Sequence, residues 1–372
     1  MKIVIFTAYS PTLTGFRRPL IEALLAAGHE IVAAAPGLDG NSAERTTLET
    51  LGVRCRELTL ARTGTNPLRD LSTYRHMRQI LGEERPDVVF AYLIKAVIYG
   101  MLAAASCGVP RRFALITGLG YAFIGERRGF QALVHPIART LYGRALRKAD
   151  LVFFQNPDDE RLFRDTGLLG VTPSRVVDGS GVDLDQYRPV PMPDGPPVFL
   201  LVARLLKSKG VAEYAAAAAR LKAERPDARF LLVGGHDSNP DAIDEKDLAR
   251  WTQAGLDYVG PQSDVRPWLA QSHVFVLPSW REGTPRASLE AMATGRAIVT
   301  TDAPGCRETV IEGENGLLVP VGDVDALTEA MRTLANDPAR CRAMGERSLQ
   351  IARARYDVEK VNAAMLEAMG LA

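Results

Sequence analysis

The sequence predicts an α/β chain of two doubly wound domains facing each other across a cleft. Short, continuously apolar runs alternate with longer helical patterns, as in a parallel sheet covered on both faces. The alternation pauses once, at the Gly-, Pro- and Asp-rich stretch VVDGSGVDLDQYRPVPMPDGPP (176–197), and then restarts. At 372 residues the chain also exceeds a typical single domain.

In the first half the strand candidates are KIVIF (2–6), EIVAAA (30–35), DVVFAY (87–92), RFALI (112–116) and DLVFF (150–154). Between them lie the helical patterns FRRPLIEALLAAG, LIKAVIYGMLAAASCG and LVHPIARTLYGRALRKA. The second half offers VFLLVARL (198–205), ARFLLVG (228–234), DYVG (257–260), HVFVLPS (273–279) and RAIVTT (296–301) as strands. Helices are expected near 211–225, 244–254, 264–271 and 286–294, with a helical tail from about Pro338. The implied division is a first domain (1–181), a linker (182–197), a second domain (198–355) and a closing helix (356–372) expected to pack back toward the first domain. In such folds ligands bind beyond the carboxyl ends of the strands.

Composition narrows the class. With 47% hydrophobic and 24% charged residues the chain has ample core material, which excludes general disorder. Cys55, Cys107, Cys306 and Cys341 are scattered, without metal or redox-pair spacing, and read as small apolar residues of a reducing compartment. The N-terminal run is too short for a membrane span and lacks a cleavage pattern, so it reads as a buried strand. A cytoplasmic protein is expected, attached at most to a membrane surface. Net charge is +1, yet residues 109–148 carry eight bases against one acid, Glu126. Arg127, Arg128, Arg144 and Arg147 lie among them, interleaved with Phe123, Ile124, Phe130, Leu133, Val134, Ile137, Leu141 and Tyr142. Such a segment suits an anionic membrane surface, the other reading being that its apolar residues pack inside the first domain and its arginines are solvated; without a recognition motif it does not point to nucleic acid.

Ligand chemistry follows the strands. After the first strand only Gly15 stands where a dinucleotide fingerprint would need three glycines, which disfavours a nicotinamide or flavin enzyme. Gly15 still permits close approach of a ligand at a helix start, with Phe16 and Arg17 beside it. In VARLLKSKGVAEY, Arg204 and Lys209 flank a strand end and a helix start, a seat for a leaving diphosphate; Lys207 reads as a solvated base. EGTPRASLE (282–290) places Thr284 as N-cap and Pro285 at the first helical position, ahead of an apolar helix ended by Gly295. Backbone N–H groups of Gly283 and Thr284 suit phosphate or sugar oxygens, and Glu290 is placed to accept from adjacent ribose hydroxyls. Glu282, in the loop, is placed for sugar hydroxyls or for the developing positive charge of an oxocarbenium-like centre. Gly234 and Gly235 permit close backbone approach, and His236 faces the same edge. The D-x-D strings at 183–185 and 323–325 do not follow a strand, so no metal is expected there.

At these residues the sequence resembles the large retaining glycosyltransferase family that includes glycogen synthases, sucrose synthases and bacterial polysaccharide transferases. The resemblance spans essentially the whole chain. It rests on Glu282-x7-Glu290 with GTP after the first glutamate, and on VARLLKSKG, DGSGVDLDQYRP and GCRETVIEGENGLLVP in the same order. It implies the GT-B arrangement, with a nucleotide sugar on the second domain and an acceptor on the first. By this resemblance Arg204 and Lys209 hold the diphosphate, Glu290 the ribose, Glu282 the transferred sugar, and the Val259–Val265 segment, with Gly260 and Pro261, the base. Gly15 would lie against the donor phosphates. No metal or other cofactor is implied. FRRPLIEAL, YLIKAVIYGMLAA and ALITGLGYAFI resemble bacterial enzymes that build capsule, O-antigen or N-glycan precursors on undecaprenyl diphosphate, some of which use UDP-N-acetylgalactosamine. The expected partners are therefore a UDP-sugar donor, a lipid-linked saccharide acceptor and the inner face of the plasma membrane, with no obligate protein partner. A GDP-mannose enzyme with a soluble acceptor and a non-catalytic nucleotide-sugar binder are the alternatives. A histidine that many such enzymes carry in the first domain has no evident equivalent here.

Overall fold

The computed structural model describes residues 1–61, 66–118, 130–237, 239 and 241–372, and for 130–135 and 137 the backbone alone. It divides into two compact units, Met1–Ser180 with Glu359–Ala372, and Gly181–Val358.

The first unit holds a seven-stranded sheet. Its strands are β1 (Lys2–Phe6), β2 (Glu30–Ala35), β3 (Arg54–Glu57), β4 (Val88–Tyr92), β5 (Arg111–Ile116), β6 (Leu151–Phe154) and β7 (Ser174–Val176). Their order is β3-β2-β1-β4-β5-β6-β7, every neighbouring pair parallel. Both faces are covered, which is why β1 and β4 read as unbroken apolar runs. Val4, Phe6, Val89 and Ala91 pack into one cluster, Ile3, Ile5, Val88 and Phe90 into the other. The closing helix Val358–Met369 adds Met365, Leu366 and Met369 to the second cluster.

The second unit repeats the plan with six strands: β8 (Val198–Val202), β9 (Arg229–Val233), β10 (Leu256–Gly260), β11 (Val274–Leu277), β12 (Ala297–Thr301) and β13 (Gly316–Val319). The order is β10-β9-β8-β11-β12-β13, again all parallel. Residues 182–197 belong to this unit. Val182 and Tyr187 are in its core, and the buried Arg296 guanidinium donates to the carbonyls of Val190 and Leu269. Chain order reverses between β8 and β11, so the loops that follow these two strands are neighbours at the carboxyl edge of the sheet.

Cys55, Cys306 and Cys341 are buried and Cys107 is exposed, all as free thiols. Burial pushes the Cys306 thiol up to about 12 and the Cys55 thiol to about 11, so neither is an available thiolate. Among the described residues no helix is long and apolar enough to cross a membrane.

Candidate active site

The chain after β8 is shaped by its two leucines. Leu205 and Leu206 are buried, leaving Arg204 and Lys207 exposed on either side. A single 3-10 turn, Lys207–Lys209, closes on Gly210, and the helix Val211–Glu224 begins. Gly210 has φ +70°, and a Cβ there would lie 2.1 Å from the Pro278 carbonyl oxygen. Only glycine lets the turn approach the loop after β11 this closely.

That loop carries Glu282. Its Oε1 accepts from Lys209 Nζ at 2.5 Å and from Ser279 Oγ at 2.8 Å. The Lys209 and Glu282 side chains are 18% and 14% exposed, so the pair is largely sheltered yet reachable. Gly305, φ +81°, supports the loop from the other side: a Cβ there would lie 2.2 Å from the Glu282 carbonyl oxygen. The Glu282 N–H donates to Pro304 O at 2.9 Å. Gly283 and Thr284 follow, half-exposed, just ahead of the helix Arg286–Ala293.

Thr284 is not the N-cap. Pro285 holds that position, in an extended conformation, and makes no side-chain cap itself. The proline's fixed φ suits the extended entry, moving the start one residue onward. Glu290 lies one turn inside and is buried. Arg286, one turn earlier, donates from Nε to its Oε1 at 2.7 Å, and Tyr187 from the 182–197 segment hydrogen-bonds the same carboxylate. Burial nevertheless dominates and raises the Glu290 pKa above its ordinary value. A sheltered carboxylate of this kind suits paired hydroxyls, which solvate it as water would.

The loops after β9 and β10 complete the edge. Gly234 donates to Gly260 O at 3.1 Å and accepts from the Tyr258 hydroxyl at 2.9 Å. A Cβ on Gly234 would lie 1.7 Å from Ala203 O, so this loop is pressed against the start of the Arg204 turn. His236 is exposed, edge-on to Tyr258 with ring centroids 6.4 Å apart, and Pro261 is exposed beyond Gly260. Arg204, Lys209, Glu282, Gly283, Thr284, Glu290, Gly234, His236, Gly260 and Pro261 thus all lie in the second unit, in or just beyond the loops at the carboxyl edge of its sheet.

Gly15, Phe16 and Arg17 lie in the first unit, after β1. Gly15 is exposed and closes a single helical turn by donating to Pro11 O at 3.0 Å. Arg17 is 1% exposed, with its guanidinium against the rings of Phe16 and Tyr92.

The basic segment divides. Arg127 and Arg128, with Phe123, Ile124 and the side chains of Phe130, Leu133, Val134 and Ile137, lie outside the described residues. Arg144 and Arg147 are exposed, and Arg147 donates to Gly167 O at 3.2 Å. Tyr142 does not join an interface-seeking face. It is buried edge-on to Phe163, centroids 5.4 Å apart, and Leu141 packs against the same core. The two D-x-D strings have local employment: Asp183 accepts from the N–H groups of Asp185 and Gln186, and Asp323 caps a helix through Ala326 N–H. His273 is buried and accepts the Val198 N–H at 3.1 Å, a structural role.

Four supports of the site escape a linear reading: Ser279, Tyr187, Asp237 and Asp241. The partners of Tyr187, Asp237 and Asp241 are remote in sequence, whereas Ser279 lies three residues before Glu282 and carries a local hint.

Residues 16–178 match the glycosyl transferase 4-like domain, and residues 196–337 match glycosyl transferases group 1. The chain is 30% identical over 351 residues, 91% of its length and 90% of the relative's, to N,N'-diacetylbacillosaminyl-diphospho-undecaprenol alpha-1,3-N-acetylgalactosaminyltransferase of Campylobacter jejuni. Its fold matches sucrose-phosphate synthase of Thermosynechococcus elongatus with a TM-score of 0.82 at 21% identity, covering 99% of this chain and 98% of that one. It also matches Anabaena HepE in complex with UDP, with a TM-score of 0.77 at 20% identity over 100% of both chains. With two parallel-sheet units of this order and relatives at these lengths, the chain has the GT-B fold and belongs to the group 1 glycosyltransferases.

Proposed function

We propose that the chain transfers a hexosyl or N-acetylhexosaminyl group, with UDP-N-acetylgalactosamine the first candidate donor, to a hydroxyl of an undecaprenyl-diphosphate-linked saccharide, with retention at the anomeric carbon. The observation that carries this reading is the Lys209–Glu282 pair at the carboxyl edge of the second sheet, with Arg204 on the adjoining turn and Glu290 one helical turn beyond. The activity of the Campylobacter relative supports the lipid-linked acceptor, and the UDP complex of a protein with this fold supports the donor class.

In this reaction the bond between the anomeric carbon and the donor phosphate oxygen breaks, and a bond to the acceptor oxygen forms on the same face. The acceptor proton leaves with the departing phosphate. Lys209 and Arg204 neutralise the charge that grows on the diphosphate, and Glu282 faces the positive charge that grows on the sugar. Glu290 accepts from the ribose hydroxyls. The cations serve the phosphates without a metal ion. The acceptor would be met at the inner face of the plasma membrane, with Arg144 and Arg147 among the surface cations.

Calorimetric titration with UDP-N-acetylgalactosamine, UDP-N-acetylglucosamine and GDP-mannose tests the donor. Binding of a UDP-sugar is expected; binding of GDP-mannose alone overturns the reading.

A further inference from the structure

We propose that Asp237 is a positioning residue that aims Arg204 at the diphosphate; this rests on the proposed role of Arg204. The loop after β9 is zipped onto the turn after β8. Leu205 N–H donates to Gly235 O at 3.0 Å, Lys207 N–H to Asp241 O at 2.8 Å and Ile243 N–H to Leu205 O at 3.0 Å. Two carboxylates four residues apart complete this clasp. Asp241 accepts from the Ser208 N–H at 3.0 Å and from its hydroxyl, fixing the turn itself. Asp237 reaches the side chain: its Oδ2 accepts from an Arg204 Nη at 2.6 Å, while its Oδ1 is held by the Asn239 N–H at 3.0 Å.

The geometry separates the two acids by task. Asp237 is anchored, with its side chain 17% exposed, whereas that of Arg204 is 49% exposed. A pair this open adds little to fold stability. The backbone bonds and Asp241 already hold the turn, and Asp237 fixes the direction of the guanidinium. A guanidinium carries five N–H donors in a planar fork, and among the described residues Arg204 spends one nitrogen on Asp237. The rest of the fork is thereby presented in one plane to an anion. The arrangement also places a negative charge beside the diphosphate seat. Asp237 therefore opposes ground-state anion binding while it preorganises the group that meets the charge developed on bond cleavage.

This predicts a split between turnover and affinity. Asp237→Ala should lower kcat by about tenfold to hundredfold, at or below the loss of a complete preorganised donor. Affinity for intact UDP-N-acetylgalactosamine, the ground-state ligand, should hold or tighten when read by calorimetry. Asp237→Asn, which keeps an oxygen for the Asn239 N–H, should show the same split more weakly. Arg204→Ala with Asp237→Ala should lose no more turnover than Arg204→Ala alone, because the acid acts through the arginine. Unchanged kcat in Asp237→Ala overturns the inference, as does a fall in affinity for the intact UDP-sugar matching the fall in kcat. If Arg204→Ala itself keeps full turnover and full UDP affinity, the reading of Arg204 fails and the inference with it. If Arg204→Ala is impaired but Asp237→Ala is not, the inference alone fails.

Discussion

Lys209 and Glu282 are 73 residues apart in the chain and 2.5 Å apart in the structure, joined across the point where the second sheet reverses its strand order. Neither group serves the core. Each is sheltered beside an edge where a ligand would arrive, and each carries the charge that a departing diphosphate and a reacting sugar would call for.

Lys209→Ala should raise the barrier by about 3 kcal/mol, the cost of one preorganised contact to developing charge, which is roughly a hundredfold in kcat. Glu282→Gln should lower kcat as well, and it also leaves the Lys209 ammonium without its carboxylate. Steady-state kinetics under saturating donor, with circular dichroism to verify the fold, decide the matter. Normal turnover in both variants would remove the pair from the chemistry.

The glycines around the Glu282 loop separate position from stability. Gly305→Ala places a methyl 2.2 Å from Glu282 O, and Gly210→Ala places one 2.1 Å from Pro278 O, so the loop must shift in either variant. Gly28 has a similar φ of +80° with nothing within 4 Å of its missing Cβ. Gly28→Ala should cost only backbone strain, on the order of 1 kcal/mol, with turnover kept. Turnover should fall in the other two variants by more than their melting temperatures account for. Equal kinetic behaviour of all three would show that the loop tolerates displacement.

Much of this was legible in the chain itself. Every apolar strand of the two sheet centres stands out because burial on both faces demands an unbroken run. The omissions are β3, β7 and β13, with their short or polar sequences RCRE, SRV and GLLV. Edge strands need little apolar surface, and in β3 the arginines have another partner. Arg54 and Arg56 both bind the buried carboxylate of Glu84 at 2.8 Å, from a helix whose charged sequence hides its inner face. The site divides in the same way. Glu282 and Glu290 are visible as a spacing on one segment, whereas Asp237, Asp241 and Tyr187 act through partners that only the fold brings near.

Nucleotide binding should depend on pH through Glu290. Burial raises this carboxyl above its ordinary 4.5, and the hydroxyl-accepting form is the ionised one. UDP affinity should therefore be complete well above that raised value and be lost as pH falls through it, at a higher pH than an ordinary glutamate would give. For folding the sign is opposite. The raised pKa favours the protonated native state, a contribution present below 4.5 and lost as pH rises through the folded value. The Arg286 guanidinium and the Tyr187 hydroxyl lower the carboxyl pKa, and Asp264 raises it. Calorimetric UDP titration across pH, with Glu290→Gln as the reference, checks this; the variant should bind weakly and lack the acid limb. An identical acid limb in Glu290→Gln would assign the titration to another group.

Exhaustive chelation should leave turnover in place. The leading acids of both D-x-D strings already serve backbone N–H groups, and Arg204 and Lys209 supply positive charge for the phosphates. Loss of activity that magnesium or manganese alone restores would contradict this.

Neutralising Arg144 and Arg147 together with Arg127 and Arg128 should weaken association with anionic vesicles, by on the order of 1 kcal/mol for each cation that meets the surface. Donor affinity should hardly change, because the nucleotide would be held mainly by residues of the second unit. Co-sedimentation at low and high salt, alongside UDP titration of the same variant, reads both effects. Undiminished, salt-insensitive vesicle binding would reject the patch.

The most direct test of the central claim is the product itself. The purified chain is supplied with UDP-N-acetylgalactosamine and an undecaprenyl-diphosphate-linked amino sugar, and the extracted lipid product is examined by mass spectrometry and proton NMR. Addition of one N-acetylhexosamine in α-linkage, matching the donor's anomeric configuration and absent with Lys209→Ala, is the expected result. A β-linked product, or UDP-sugar binding without transfer to any lipid-linked acceptor, would contradict it.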